Sequence, residues 1–524
     1  MIIKKISQLL KVFCLVWFSF VCLPADAADR CYSKMSEVLG CFLHYDDGVY
    51  KYEFVEENNS NPEVKIRTYF LYSQKWPVDS YEDIPSTIWK HKLVFYIPKT
   101  ISYTKALLYV NGGRNRNIDG GEEFLSSKEN IEYGHIALNN KALVVELQDT
   151  LNQYLFFNGQ PFKEDRIIAY TYKRFMDDPH KNAYLAGHLP MTKAVLKAMD
   201  AVQQVMKVEH GVTIDGFVLA GASKRGWAVW LAALSDHRVE AMIPVVIDVL
   251  NTQKSLSYIC QSYGGVCPQA LRDYEEYNIT KSLNTSAYSD LMTVEDPYSY
   301  LMDDKYKERF AIPKYIINAS GDDFFVPDSS KWYFKDLPGY NTNRSHIRYL
   351  PNSMHYLGGN PISDSTNSMQ AVNEALNSYF YFVLNKITLP TVNWKLGSDK
   401  IQLYSSIKPF LAKLWVANNG STRDFRFITS YGEYRLLFKK LLNYFFISMG
   451  DNCYKEKDIS FDCKDGGACH AEITSLSPAK GWQASFAELH YKLGRETFIV
   501  TTEVNIAPDV LPKQISNQGE HQDL

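Results

Sequence analysis

The stretch FVLAGASKRGWAVWLAAL, Phe217 to Leu234, decides how the rest of the chain is read. A strand-like run enters Gly221-Ala222-Ser223, and a helical pattern begins at once with Lys224-Arg225-Gly226-Trp227. A nucleophile elbow needs this kind of junction: a serine on a tight strand-to-helix turn, small neighbours that admit the backbone, and a helix N-terminus that favours negative charge. The usual pattern is G-x-S-x-G, but here Arg225 takes the second glycine position and glycine follows one residue later, at Gly226. A serine ahead of a helix is also a routine N-cap. The triplet alone leaves Ser223 between these two roles.

The chain that follows separates them. In α/β-hydrolases the order is nucleophile, acid, histidine, with the last two on loops after later strands. After the strand-like KYIINAS comes Gly321-Asp322-Asp323-Phe324-Phe325-Val326-Pro327, a turn with two carboxylates, and after IRYLP comes Asn352-Ser353-Met354-His355. Ser223 would attack, His355 would take its proton, and a carboxylate would orient the imidazole. Asp248, after MIPVVI, is a further acid in range, or else a structural carboxylate capping the next segment. The expected oxyanion donors are the backbone N–H of Lys224 and one from Asn111-Gly112-Gly113-Arg114, with Gly113 the choice, in the loop after the strand ALLYV. The Lys224 and Arg225 side chains read either as an anion-binding pair or as a solvated helix start. His346, placed ahead of its strand, reads as a surface residue, and Trp76, Trp89 and Trp227 read as aromatic packing before cleft lining.

Working outward, residues 60 to 390 alternate strand-like and helical runs. Strands are expected at Lys92–Ile97, Ala106–Val110, Ala142–Glu146, Gly216–Ala220, Ala241–Ile247, Tyr315–Ala319 and Ile347–Leu350, and helices at Pro190–Val208 and Met369–Val383. This is the pattern of an α/β fold with a doubly wound, mainly parallel sheet. After Pro390 the segments shorten (Lys413–Ala417, Phe425–Thr429, Ala484–Leu489, Phe498–Val504) and predict a smaller, sandwich-like β-rich domain. The division expected is 28–390 for the sheet domain with an N-terminal extension and 391–524 for the β-rich one. Within the latter, LLFKKLLNYFFIS, Leu436 to Ser448, reads as an element lying on the domain core or as an amphipathic surface.

Residues 1–27 carry Lys4, Lys5 and Lys11, an apolar run from Val12 to Leu23, and Ala25-Asp26-Ala27. They read as a signal peptide cleaved after Ala27, with the run too short to span a bilayer, so a secreted or periplasmic protein with no transmembrane span is expected. The 524 residues are 46% hydrophobic with a net charge of −3, an ordinary globular balance that excludes nucleic-acid binding by bulk positive charge. In an oxidising compartment Cys31 with Cys41 and Cys260 with Cys267 are the expected disulfides, and one of Cys453, Cys463 and Cys469 is left over. No C-x-x-C, G-x-G-x-x-G, Walker loop or H-E-x-x-H occurs, and no metal or organic cofactor is expected.

The segments Ser73-Gln74 with Trp76-Pro77, Trp89-Lys90-His91-Lys92-Leu93, EDRIIAYTY from Glu164, LPMTKAVLKAMDAVQ from Leu189, GASKRGW, IDVLN from Ile247, GDDFFVPDSS from Gly321 and KLWVANNGSTRDFRF from Lys413 resemble the PhoPQ-activated pathogenicity-related proteins over most of the chain. The resemblance implies a secreted serine hydrolase-like core of α/β-hydrolase type, with Ser223 as nucleophile and His355 as base. The family's acid loop reads G-D, a variable polar residue and two aromatics, which selects Asp322; counting back from Val326-Pro327 would select Asp323. VELQDTLNQYLFF, from Val145, departs from the family by lacking a proline before Asn152-Gln153, which bears on the cleft rim. The family's name records regulation in bacteria and a link to virulence, and a secreted eukaryotic branch acts as a proliferation repressor; neither names a substrate. The expected function is therefore cleavage of an ester or related acyl bond in a small-molecule or acylated substrate. The alternatives are a serine peptidase, or a signalling or binding protein on the same scaffold, and the β-rich domain is a place for cell-surface or carbohydrate contact.

Overall fold

Nine strands form the central sheet of the computed structural model, which describes residues 31–121, 130–340, 342–357, 368–426, 453–464, 467–474, 476 and 478–513. The expected export segment 1–27 and the apolar stretch Leu436–Ser448 both lie outside the described residues. In chain order the strands are β1 (Lys51–Asn58), β2 (Val64–Trp76), β3 (Thr87–Pro98), β4 (Lys105–Val110) and β5 (Leu143–Leu147). A small hairpin, β6 (Leu155–Phe157) and β7 (Gln160–Phe162), stands apart from the sheet. The sheet resumes with β8 (Gly216–Ala222), β9 (Val239–Val245), β10 (Lys314–Ala319) and β11 (Ser345–Leu350). Their spatial order is β1-β2-β3-β5-β4-β8-β9-β10-β11.

From β5 to β11 every neighbouring pair is parallel. The parallel strands are apolar runs because helices cover both faces, and β5, β10 and β11 are buried along their whole length. The helices that position the site are α1 (Asp165–Asp177), α2 (His188–His210), α3 (Lys224–Ser235), α4 (Thr252–Ser262) and α5 (Ser368–Leu384). The chain leaves β4 for β5 on one side and comes back as β8 on the other, so the winding reverses at β4. Such a switch point opens a crevice at the carboxyl ends of the strands.

The antiparallel pair β1 and β2 at the far edge was not expected, because KYEFVEEN lies mostly exposed and has no continuous apolar face to betray a strand. His346 corrects another expectation. It lies in β11 with 2% exposure, its Nε2 is 3.3 Å from the Pro390 carbonyl, and burial pushes its pKa down to about 4. Trp76 and Trp89 are buried and pack edge to face on each other.

The remaining strands make two antiparallel sheets. One holds β12 (Val392–Leu396), β13 (Lys400–Ser405), β16 (Asp462–Cys463) and β17 (Cys469–Thr474); the other holds β14 (Leu411–Asn419), β15 (Lys455–Asp458), β18 (Trp482–Leu493), β19 (Glu496–Thr501) and β20 (Asn505–Ala507). Phe425 and Arg426 are not in a strand, and the rest of the strand expected there lies outside the described residues. β19 covers the open edge of the central sheet: the Tyr349 amide of β11 donates to Thr501 Oγ1 at 3.0 Å, satisfying a group that an edge would leave bare. Cys31–Cys41, Cys260–Cys267 and Cys463–Cys469 are disulfide-bonded, and Cys453 is a buried thiol. The architecture is an α/β-hydrolase fold with a smaller β-rich domain at its C-terminal side.

Candidate active site

Ser223 joins β8 to α3 with φ 56° and ψ −133°, a backbone region that non-glycine residues rarely occupy. Its amide is tied to the Val245 carbonyl at 2.8 Å, so the turn is held against the neighbouring strand. The side chain makes no capping bond to the helix. Instead Ser223 Oγ lies 2.8 Å from His355 Nε2. The displaced glycine now has a reason: a Cβ on Gly226 would fall 2.7 Å from the Gly221 carbonyl oxygen, so the tight approach of helix to strand occurs at Gly226 and leaves the preceding position open to arginine.

His355 follows β11, and its Nδ1 lies 2.9 and 3.2 Å from the two oxygens of Asp322 in the loop after β10. Asp322 Oδ1 also accepts the amides of Phe324 and Phe325 at 2.7 and 3.2 Å, which fixes the carboxylate by its own loop. The Phe324 ring packs on the imidazole with centroids 4.5 Å apart. Burial alone would lower the His355 pKa, but the charge and hydrogen bonds of Asp322, with Asp323 nearby, outweigh burial and Lys224 and leave it above the ordinary histidine value. Asp323 lies close to the histidine without a hydrogen bond to its ring: its Oδ1 is buried with no hydrogen-bond partner among the described residues, and burial with the adjacent Asp322 charge raises its carboxyl. Asp248 is not at the histidine either. It accepts the hydroxyls of Tyr333 and Tyr349, both at 2.6 Å, and burial pushes its pKa up to about 7.

The loop after β4 leaves beside the elbow, since Val110 pairs with Gly221 in register. Gly113 has φ +129°, and a Cβ there would fall 2.2 Å from Asp149 Oδ1, so only glycine fits. The Gly112 amide is held by Asn111 Oδ1 at 2.8 Å. Lys224 begins α3, where the first amides have no partner within the helix.

The side chains of Lys224 and Arg225 fit neither expected role. Lys224 Nζ is 2.9 Å from Glu164 and 3.1 Å from Asp165, while Arg225 grips both Glu164 oxygens at 2.6 and 2.8 Å. Burial would raise the Glu164 carboxyl, but Lys224 and Arg225 override it and hold the group well below the usual carboxylate range. Gln153 Nε2 donates both to Glu164 Oε1 at 2.8 Å and to the Gly113 carbonyl at 2.7 Å, linking the ion cluster to the loop after β4. Glu164, Gln153 and Asp149 escaped the sequence reading of the site. One hint existed: two cations in the first turn of a helix oppose its dipole and call for a carboxylate nearby. Trp227, one turn further along α3, donates its indole N–H to the Glu295 carbonyl and stacks on His188 at 4.4 Å, which makes it packing.

Residues 39–426 match the family described as PhoPQ-activated pathogenicity-related protein. A relative from Dictyostelium discoideum, autocrine proliferation repressor protein A, is 31% identical over 503 residues, 92% of each chain. The chain belongs to this family. Among solved structures, acetyl xylan esterase 1 from Thermoanaerobacterium sp. JW/SL YS485 superposes with a TM-score of 0.41 at 13% identity, over 68% of this chain and 96% of its own. A glucuronoyl esterase from Solibacter usitatus gives 0.36 at 12% identity, over 66% and 91%. In this PhoPQ-activated pathogenicity-related family member, the matched residues include GASKRGW and GDDFFVPDSS, which carry Ser223 and Asp322, and EDRIIAYTY, which begins with the Glu164 that clamps the elbow.

Proposed function

We propose that this protein is an exported serine hydrolase that cleaves an ester or related acyl bond through an acyl-enzyme on Ser223. The observation that carries this reading is the continuous contact from Ser223 Oγ through His355 to Asp322, on a serine that caps nothing. His355 Nε2 accepts the Ser223 proton as Oγ attacks the acyl carbon, and Asp322 keeps its charge and steadies the imidazolium. The tetrahedral oxyanion faces the amides of Lys224 and Gly113; Gly112 is set aside because Asn111 already holds its amide. His355 then protonates the departing alcohol. A water, deprotonated by the same nitrogen, releases the acid and restores Ser223. An ester is favoured over an amide because its carbonyl is the more electrophilic and its oxygen depends less on protonation to leave than an amide nitrogen does, although the same residues would serve a peptidase.

Three disulfides fit an oxidising compartment, in line with removal of residues 1–27 on export. Among the described residues no helix is long and apolar enough to cross a membrane. A signalling role, which the name of the Dictyostelium relative suggests, would require none of the contacts between Ser223, His355 and Asp322. The deciding experiment is fluorophosphonate labelling of the purified protein with mass spectrometry of the modified peptide. An adduct on Ser223 that vanishes in His355→Ala is expected; folded protein that takes no label, or takes it elsewhere, would overturn the hydrolase reading.

A further inference from the structure

The segment KLWVANNGSTRDFRF belongs to the β-rich domain, yet it ends beside the acid loop. After β14, Asn419 Oδ1 accepts the amides of Ser421 and Thr422 at 3.1 and 3.0 Å, a turn that delivers Arg423 into the protein with no side-chain exposure. Arg423 meets Asp328 with both arms, Nη2 to Oδ2 at 2.7 Å and Nη1 to Oδ1 at 3.3 Å. Tyr258 of α4 donates to Asp328 Oδ2 at 2.7 Å, and Ser262, one turn on, accepts from Arg423 at 3.2 Å. Burial would raise the Asp328 carboxyl, but the Arg423 and Lys331 charges override it and keep it ionised. Asp328 closes the loop that begins at Gly321 and carries Asp322.

A second tie reaches the histidine loop. Asn352, at φ 51°, donates Nδ2 to the Tyr454 carbonyl at 2.9 Å and accepts the Tyr454 amide on Oδ1 at 2.7 Å, so its side chain pairs with β-rich backbone as a strand would. The two loops are also laced to each other, by Gly321 N–H to the Ser353 carbonyl and Asn352 N–H to Ser320 Oγ, both at 2.9 Å. They form one unit, clamped from the C-terminal side at two points.

We propose that the β-rich domain is a working part of the active site: Arg423, acting through Asp328, and the Tyr454 backbone, acting through Asn352, are positioning elements that hold Asp322 and His355 against Ser223. This rests on the hydrolase reading above. A displacement of about 1 Å at a reacting group can slow a reaction about 100-fold, so small adjustments of these loops have a large reach.

The test uses the full chain with Arg423→Met, Arg423→Lys and Asn352→Gly, the last keeping the left-handed backbone while deleting the amide. Each variant is checked for a cooperative melt and then labelled with fluorophosphonate across a range of pH, and the His355 imidazole is titrated by NMR. Arg423→Met should slow Ser223 labelling about 10- to 100-fold and lower the His355 midpoint. Arg423→Lys, which keeps the charge without the fork, should recover part of the rate, and Asn352→Gly should slow labelling on its own. If Arg423→Met fails to fold, the other two variants decide. Wild-type rates and an unchanged His355 midpoint in folded variants would overturn the proposal. Wild-type protein that takes no label, while the variants still shift the His355 midpoint, would sink the hydrolase reading and leave the clamp standing.

Discussion

Ser223 and His355 come within 2.8 Å of each other, yet the segments that carry them are anchored in different parts of the molecule. The elbow and the loop after β4 are held by the chain between β5 and α1, where Glu164 grips Lys224 and Arg225 and Gln153 joins Glu164 to the Gly113 carbonyl. The acid and histidine loops are held from the far end of the chain, by Arg423 and the Tyr454 backbone. Their titration also differs. The elbow's cations hold the Glu164 carboxylate low, whereas Asp248, which faces two tyrosine hydroxyls, is pushed up to about 7 by burial. The elbow half should therefore be firm down to acid pH. The acid and histidine half depends on the docked β-rich domain and carries a buried carboxyl that resists ionisation.

The largest expected effect lies where the halves meet. Ser223→Ala should lower hydrolysis of an activated ester by about 10⁵-fold or more, and Asp322→Asn by about 10⁴-fold, with melting temperatures nearly unchanged. A serine variant that melts early but still turns over would assign Ser223 to structure. Next comes Asp248→Asn. A carboxyl whose pKa is raised on folding is harmless while neutral, below its unfolded value near 3.8, and its penalty grows to about 4 kcal/mol as pH rises through the folded value near 7. Denaturant titrations at acid and at mildly alkaline pH should show the wild type losing more stability across that interval than the variant. Parallel profiles would remove the proposed contrast between the halves. Smaller again, replacing both Cys260 and Cys267 with alanine should lower stability by about 2.5 kcal/mol. Because that bridge fixes the end of α4, which carries Tyr258 and Ser262 to the Arg423 and Asp328 pair, Ser223 labelling should slow severalfold as well.

How much of this was legible in the sequence follows the same division. Ser223, Asp322 and His355, which the fold brings into contact, stood out because each sits past a buried apolar strand, marked by glycines or small residues next to it in the chain. β1 could not, since an exposed edge strand needs no apolar face, and His346 was misplaced because a parallel strand hides both faces, polar residues included. The supports of the site were harder still. Arg423 lies in a recognisable segment, but its partner Asp328 is 95 residues earlier, and nothing local to either names the other. Glu164 precedes the cations it neutralises by 60 and 61 residues. Strand ends are written locally, whereas ion-pair partners are chosen by the fold.

Glu164→Gln gives the smallest effect and the sharpest test of whether the halves are separately held. The substitution keeps the side chain's size and removes its charge, leaving Lys224 and Arg225, each with 9% of its side chain exposed, to face one another with Asp165 as the remaining carboxylate on Lys224. Breaking a sealed pair would be severe, but Glu164 keeps 34% of its side chain exposed, so water can relieve the cations and the loss should be about 2 kcal/mol. Since folding depresses the Glu164 pKa, its contribution is fully present above the ordinary carboxylate range and is lost as pH falls through the folded value. The stability gap between wild type and variant should therefore hold steady at neutral pH and close in strong acid. A relaxed Arg225, which lies against Gly112, should slow Ser223 labelling by less than about tenfold through the oxyanion loop. The His355 midpoint should stay where it is, because Asp322, Arg423 and Asn352 are untouched; a midpoint that moves would mean that the elbow cluster also steers the acid and histidine loops, and that the site is braced as one body.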